Sequence, residues 1–256
     1  MYTLKKSLGQ HFLHDENVCR KIVTELKRHS FTRLLEVGPG SGALTKYLLE
    51  LPGVDFKAVE IDNDKVSFLE KTFPGLTGKL IESDFLRISK PFPGNFTIVG
   101  NFPYNISSQI VFRILDWRDS VECMIGMFQK EVAQRICAEP GGKVYGIISV
   151  LTQAFYEPTY LFEVSEKSFT PPPKVRSAVI RLLPRQKAIV NPAQEQNFRL
   201  LVRTAFNQRR KTMRNAVKQL FDEEILRDDL FEKRAEQLSV FEFSELSLSM
   251  KNQKYA

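Results

Sequence analysis

Cysteine is scarce in this chain of 256 residues: Cys19, Cys123 and Cys137 are odd in number, far apart, and form no Cys-x-x-Cys pair. Such a set excludes a disulfide framework and suits the reduced thiols of a cytosolic protein. Histidine is equally rare, with His11, His14 and His29 in no zinc-like spacing, so no metal is expected. Long apolar runs are missing as well. The uncharged stretch Val144 to Tyr156 is too short and too mixed to reach the roughly 20 apolar residues that cross a bilayer. The opening Met1-Tyr2-Thr3-Leu4-Lys5-Lys6-Ser7 has neither an apolar core nor a small-residue cleavage site, so no secretory signal is expected. A cytoplasmic protein with no membrane segment is the expectation, and nothing points to an obligate dimer, so a monomer is expected. What is present is an apolar content of 43%, enough for a real core, and a net charge of +7. That charge suggests an anionic partner, but by itself it does not separate nucleic acid from a membrane surface or from simple solubility.

From about residue 32 to 183, short β-rich runs alternate with longer helical ones, the sign of an α/β unit with a mainly parallel sheet. Strands are expected at Leu34–Val37, Phe56–Glu60, Lys79–Glu82, Phe96–Val99 and Cys123–Met127. Helices are expected from Ala43 to Leu51, Asn63 to Phe73, Ser107 to Trp117 and Lys130 to Ala138. Tyr145 to Phe155 suits a strand or a buried helix, and its length favours helix. Thr159–Val164 and Ser177–Leu183 close the pattern as a last, antiparallel pair. After Pro184 the strand-like alternation stops and helical spacing takes over. The expected organisation is therefore one large domain over 1–184 and a small all-α domain over 185–256. Within the latter, Asn197 to Phe221 carries Arg199, Arg203, Arg209, Arg210, Lys211, Arg214 and Lys218 and no acid. A solvated helix usually mixes signs, so this one-sided stretch points to a nucleic-acid contact, with a plain basic surface as the alternative.

Two motifs carry chemistry. Glu36-Val37-Gly38-Pro39-Gly40-Ser41-Gly42 joins the first strand to the first helix of the alternating pattern, where glycines let a ligand approach the backbone and a helix start offers free N–H groups. Glu60, ending the next strand, is placed for the two hydroxyls of a ribose. Gly38, Gly40 and Ala43 also satisfy the nicotinamide-dinucleotide pattern, so the glycines alone decide nothing. Glu36 and Asp84 favour S-adenosylmethionine: the first could meet an ammonium group, the second an adenine amine, with Phe85 packing on the ring. A helix cap or loop acid is the alternative for Asp84. The second motif, Asn101-Phe102-Pro103-Tyr104, follows the apolar run Phe96–Val99. Its Asn amide oxygen and a carbonyl beside the proline can both accept from an exocyclic amine, while Tyr104 offers a flat face to the base that bears it. Proline fixes φ and holds the carbonyls in place.

With these motifs quoted, the sequence resembles the KsgA-type ribosomal RNA small-subunit adenine N6,N6-dimethyltransferases over nearly its whole length. Ser7-Leu8-Gly9-Gln10-His11-Phe12-Leu13 is similar to a motif that closes over the cofactor. Glu36–Gly42 and Asn101–Tyr104 match the cofactor turn and the catalytic corner. Phe169-Thr170-Pro171-Pro172-Pro173-Lys174-Val175-Arg176-Ser177 matches a loop beside the target base, and Ala205–Thr212 a basic C-terminal helix. The resemblance implies a Rossmann-like methyltransferase sheet with a helical C-terminal domain, and S-adenosylmethionine as cofactor. It further implies dimethylation of two adjacent adenosines in the 3'-terminal hairpin of small-subunit RNA, on an immature subunit during ribosome biogenesis. His11, Leu13, Glu36, Gly38, Gly40, Glu60, Asp84, Phe85 and Asn101 would bind cofactor. Asn101, Phe102, Pro103, Tyr104 and Phe169 would form the catalytic pocket, with Tyr104 and Phe169 sandwiching the base. Arg209, Arg210, Lys211 and Arg214 would contact RNA. The sequence departs from the family at His11, where Asn is more frequent, and at Phe102, where Leu or Ile is usual. A non-enzymatic assembly factor and a large-subunit RNA methyltransferase conferring antibiotic resistance are the competing readings.

Overall fold

The computed structural model describes residues 11–251; Ser7 to Gln10 of the N-terminal motif lie outside them. A two-residue strand, β1 (Phe12–Leu13), leads into helix α1 (Glu16–Leu26). Asp15 caps α1 by accepting from the Asn17 and Val18 amides, two donors that a helix start leaves unpaired. Val18, Cys19, Ile22, Val23 and Leu26 form one buried stripe, and covering that stripe holds the helix.

Elements then alternate: β2 (Arg33–Val37), α2 (Thr45–Leu48), β3 (Asp55–Glu60), α3 (Asn63–Thr72), β4 (Leu80–Glu82), β5 (Phe96–Asn101), α4 (Ser107–Asp116), β6 (Val121–Gln129) and α5 (Lys130–Ile136). Helix α6 (Ile147–Gln153), β7 (Tyr156–Val164), β8 (Phe169–Thr170) and β9 (Ser177–Pro184) follow. The sheet order is β4-β3-β2-β5-β6-β9-β7. Neighbours from β4 to β6 are parallel, and β9 runs antiparallel to β6. Residues Leu34–Val37 and Phe96–Gly100 are buried without a break, as expected of interior strands covered on both faces. The strand order reverses direction at β2, whose neighbours are β3 on one side and β5 on the other. Ligands of open α/β sheets bind at such a switch point, outside the carboxyl ends of the strands. A separate ribbon pairs β1 with β8, setting Leu13 against Phe169.

Helix α2 is shorter than the expected Ala43–Leu51. Gly42 takes a φ of +83°, which an α-helix does not admit, and Leu51 precedes Pro52, where helical backbone is disfavoured.

The chain divides into two compact units, one taking the residues up to Ala133 with Pro158–Pro184, the other Gln134–Glu157 with Arg185 onward. The second unit takes the chain from Arg185 and, differently from the expected division, also residues 134–157. Their backbone is tied there: Gln153 Nε2 donates to the Ile136 and Ala138 carbonyls, and the Arg185 and Ile189 amides donate to Phe155 and Ala154. The second unit adds α7 (Glu195–Asn207), α8 (Met213–Val217) and α9 (Val240–Leu248), joined by short 3-10 turns. Its core stacks Phe206 between Tyr145 and Phe243, and Phe221 edge-on to Phe231. No helix among the described residues is long and apolar enough to cross a membrane.

Candidate active site

A cleft opens at the carboxyl ends of β2, β3, β4 and β5. Glu36, Gly38, Gly40, Glu60, Asp84, Phe85 and the whole Asn101–Tyr104 corner line it, together with His11 and Leu13.

Glu36 is 1% exposed. Thr45 Oγ1 donates to its Oε2 at 2.7 Å, and no other donor reaches it among the described residues. Burial pushes its carboxyl up to about 8; the Thr45 bond opposes this and the nearby Glu60 adds to it. A buried acid with one neutral donor is a poor anion by itself and a good seat for a cation. Gly38 and Gly40 carry φ of +68° and +60°, conformations that side chains resist. A Cβ on Gly42 would meet the Phe73 ring at 2.3 Å.

Glu60 accepts from the amides of Gly40 (3.2 Å), Ile61 (2.9 Å) and Asp62 (3.1 Å). It thus fixes the glycine turn, and its remaining lone pairs are what a ribose could use. Asp84 Oδ1 accepts from the Leu86 amide at 2.9 Å, so the loop-cap role weighed for it is present, within a side chain that also lines the cleft. Phe85 is buried edge-on to Trp117, with centroids 5.3 Å apart.

The corner abuts the glycine turn. A Cβ on Gly38 would stand 3.7 Å from Pro103 Cδ. Asn101 Nδ2 donates to the His11 carbonyl at 3.2 Å, leaving Oδ1 unpaired among the described residues. The Pro103 carbonyl is occupied by Ser107 Oγ and the Ile106 amide, so it cannot serve as the second acceptor; the Phe102 carbonyl has no donor among the described residues. Tyr104 hydroxyl bonds Ser177 Oγ. Burial raises its phenol above the ordinary value, and the Ser177 bond partly offsets this. The His11 ring faces Tyr104 at 5.5 Å with a 30° tilt and donates from Nδ1 to the Pro171 carbonyl at 2.8 Å.

Phe169 requires a correction. It is 2% exposed, packs in the core cluster with Leu13, and does not line the cleft. Its pairing with Leu13 across the β1–β8 ribbon sets the ring in that packing, away from the cleft lining where a sandwich with Tyr104 would place it. Other residues of the lining are not singled out as site residues by the sequence, Ile61, Phe12 and Lys65 among them. Ile61 is an apolar side chain 51% exposed beside Glu60; its position directly after a strand-ending acid is the available signal. Phe12 lies over Gly40, and Lys65 sits above the Phe12 ring with Nζ 3.9 Å from Glu60; these depend on partners far along the chain.

The basic residues of the second unit sort into two groups. Arg199 pairs with Glu195, Arg209 with Glu236 and the Gly142 carbonyl, and Arg214 with Glu232 and the Leu226 carbonyl. Arg203, Arg210, Lys211 and Lys218 are exposed and have no side-chain partner among the described residues. Among those residues no cluster of His, Cys, Asp or Glu could hold a metal ion.

A mixed seven-stranded sheet, with acids and glycines gathered at the carboxyl edge beside an Asn-x-Pro-Tyr corner, defines a Rossmann-like methyltransferase. The model of the family described as ribosomal RNA adenine dimethylase matches residues 1–248, and the chain belongs to that family. Ribosomal RNA small subunit methyltransferase A of Parabacteroides distasonis is 49% identical over 248 residues, covering 95% of this chain and 92% of the relative. The protein of the same name from Flavobacterium johnsoniae is 51% identical over 243 residues, covering 93% and 92%. Among solved structures, a dimethyladenosine transferase from Plasmodium falciparum superposes with a TM-score of 0.78 at 27% identity, covering 93% of this chain and 96% of that one. The 23S rRNA methyltransferase ErmE gives 0.71 at 25% identity, covering 91% and 99%. Membership in this family sets aside the nicotinamide reading of the glycine turn.

Proposed function

We infer that this chain transfers methyl groups from S-adenosylmethionine to adenine N6 of small-subunit ribosomal RNA, two to each nitrogen. The family and the named relatives support that activity. The finer reading takes two adjacent adenosines of the 3'-terminal hairpin in an immature subunit as substrate, and the protein as a cytoplasmic monomer working without metal.

Bound S-adenosylmethionine supplies a methyl group on a sulfonium, a leaving group that needs no further activation. Glu36 is suited to its ammonium group, Glu60 to the ribose, and Asp84 with Phe85 and Ile61 to the adenine. The remaining difficulty is the nucleophile, because the N6 lone pair of adenine is delocalised into the ring. In the first transfer Asn101 Oδ1 and the Phe102 carbonyl would accept the two N–H bonds and aim the lone pair at the methyl carbon; in the second, one of them would accept the N–H that remains. The N–C bond forms as the S–C bond breaks, and the proton leaves to water afterwards, so no strong base is needed. Positioning of this kind supplies roughly 7–11 kcal/mol in favourable cases. The target base must leave its stack to enter, and one face of Tyr104 receives it once the His11 ring yields. Stacking on an aromatic ring contributes about 1–3 kcal/mol.

The observation that carries this reading is the acceptor pair of the corner set against the glycine turn. Asn101→Ala should keep S-adenosylmethionine binding by calorimetry while methyl transfer to small-subunit RNA drops by about two orders of magnitude or more. Full turnover by the purified variant would remove Asn101 from this role.

A further inference from the structure

Gly100 and Gly126 face each other across β5 and β6, and both are buried. Neither takes a positive φ, so backbone conformation does not explain their missing side chains. The Phe102 ring does. A Cβ on Gly126 would fall 2.2 Å from Phe102 Cε2 and 2.8 Å from Cδ2; one on Gly100 would fall 2.8 and 3.0 Å from the opposite edge of the same ring. The two glycines form a trough in which the ring lies. Phe128 closes it edge-on at 5.0 Å, and the Phe102 amide donates to the Met127 carbonyl at 3.2 Å. Phe102 is thereby 1% exposed, locked between the two residues whose placement matters, Asn101 and Pro103.

Gly100 has a second constraint, since its Cβ would also stand 2.5 Å from the Val37 carbonyl. For Gly126 the three nearest atoms all belong to side chains, two of the Phe102 ring and Met124 Sδ at 2.9 Å. Gly126 lies outside the cleft lining. Its lack of a side chain leaves the space that the Phe102 ring occupies. We propose that Gly126 is a positioning residue: the space it leaves seats the Phe102 ring, and through that ring fixes where Asn101 Oδ1 and the Phe102 carbonyl stand over the cleft. The inference rests on the corner acting as the acceptor of the adenine amine.

The test compares wild type, Gly126→Ala, Phe102→Leu and the double variant, with labelled S-adenosylmethionine and small-subunit ribosomal RNA particles. A Cβ at position 126 displaces the ring, and Gly126→Ala should lose on the order of tenfold to a hundredfold in kcat. KM for S-adenosylmethionine should stay within about twofold of wild type, because the atoms nearest a Cβ at 126 belong to Phe102 and Met124 and not to Glu36, Glu60 or the glycine turn. Adding Phe102→Leu to Gly126→Ala should recover most of the lost kcat, the non-additivity expected of two residues that share one space. A merely structural role would lower stability without this split or this recovery. Wild-type kcat in Gly126→Ala, or a double variant no faster than Gly126→Ala, overturns the proposal. Should Gly126→Ala not fold, the double variant decides: folded and active upholds it, unfolded or inactive sinks it. An Asn101→Ala control run alongside separates failure of this inference from failure of the corner's assigned role.

Discussion

Glu36 is the most buried of the cleft's three acids, and its consequences are thermodynamic as well as recognitional. An ordinary Glu titrates near 4.5, whereas burial lifts this one to about 8. The folded chain therefore holds a proton that the unfolded chain releases. The stabilisation from this proton is complete below about pH 4.5 and is lost as pH rises to about 8. Glu36→Gln keeps the acceptor for Thr45 and removes the titration. Its unfolding temperature without ligand should fall less than that of wild type between pH 5 and 8.5, on the order of a few degrees' difference. Superimposable pH profiles would contradict the assigned state of Glu36. A cation seated beside this carboxyl draws the proton off, so S-adenosylmethionine binding should release protons below pH 8 in wild type and not in the variant. Calorimetry in buffers of different ionisation enthalpy reads this directly.

At the scale of elements, the turn between α7 and α8 shows that a run of like charges is not a uniform surface. Arg209 holds the Gly142 carbonyl and Glu236, and Arg214 holds Glu232 and the Leu226 carbonyl. Both are partly exposed but tied to partners of the second unit, while Arg210 and Lys211 are exposed without side-chain partners among the described residues. The double change Arg210→Glu with Lys211→Glu should leave the unfolding temperature near wild type. It should also lower the salt slope of RNA binding by about one for every phosphate that is no longer neutralised. Arg209→Glu places like charge against Glu236 and should lower stability first. An unchanged salt slope for the Arg210, Lys211 variant would move the RNA interface away from this turn. The sequence displays the seven cations plainly. It does not show which are anchored, because Glu232 and Glu236 reach them only through the fold.

For the molecule as a whole, legibility follows the range of the interactions. Strands β2 and β5 are readable because interior parallel strands are nearly continuous buried runs, and the cleft is readable because glycines and acids stand at the strand ends. Helix α1 is not legible in that way: its stripe of Val18, Cys19, Ile22, Val23 and Leu26 precedes the first strand of the repeating pattern. Chain order assigns residues 134–157 to the first domain, but the hydrogen bonds of Gln153, Arg185 and Ile189 place them with the second unit. The motif around Phe169 suggests a ring facing the base, whereas its partner across the ribbon, Leu13, draws it into the core.

The bond from Asn101 Nδ2 to the His11 carbonyl has a further result. It fixes which end of the amide is the acceptor, so the rim of the corner presents the lone pairs of Asn101 Oδ1 and of the Phe102 carbonyl, both unpaired among the described residues. Such a rim welcomes a base that donates at position six and repels one that presents a carbonyl there. Particles in which the target adenosines are replaced by inosine should therefore be poor competitors for the natural substrate. Inosine that competes on equal terms would mean that recognition is read elsewhere, from the shape of the RNA and not from the edge of the base.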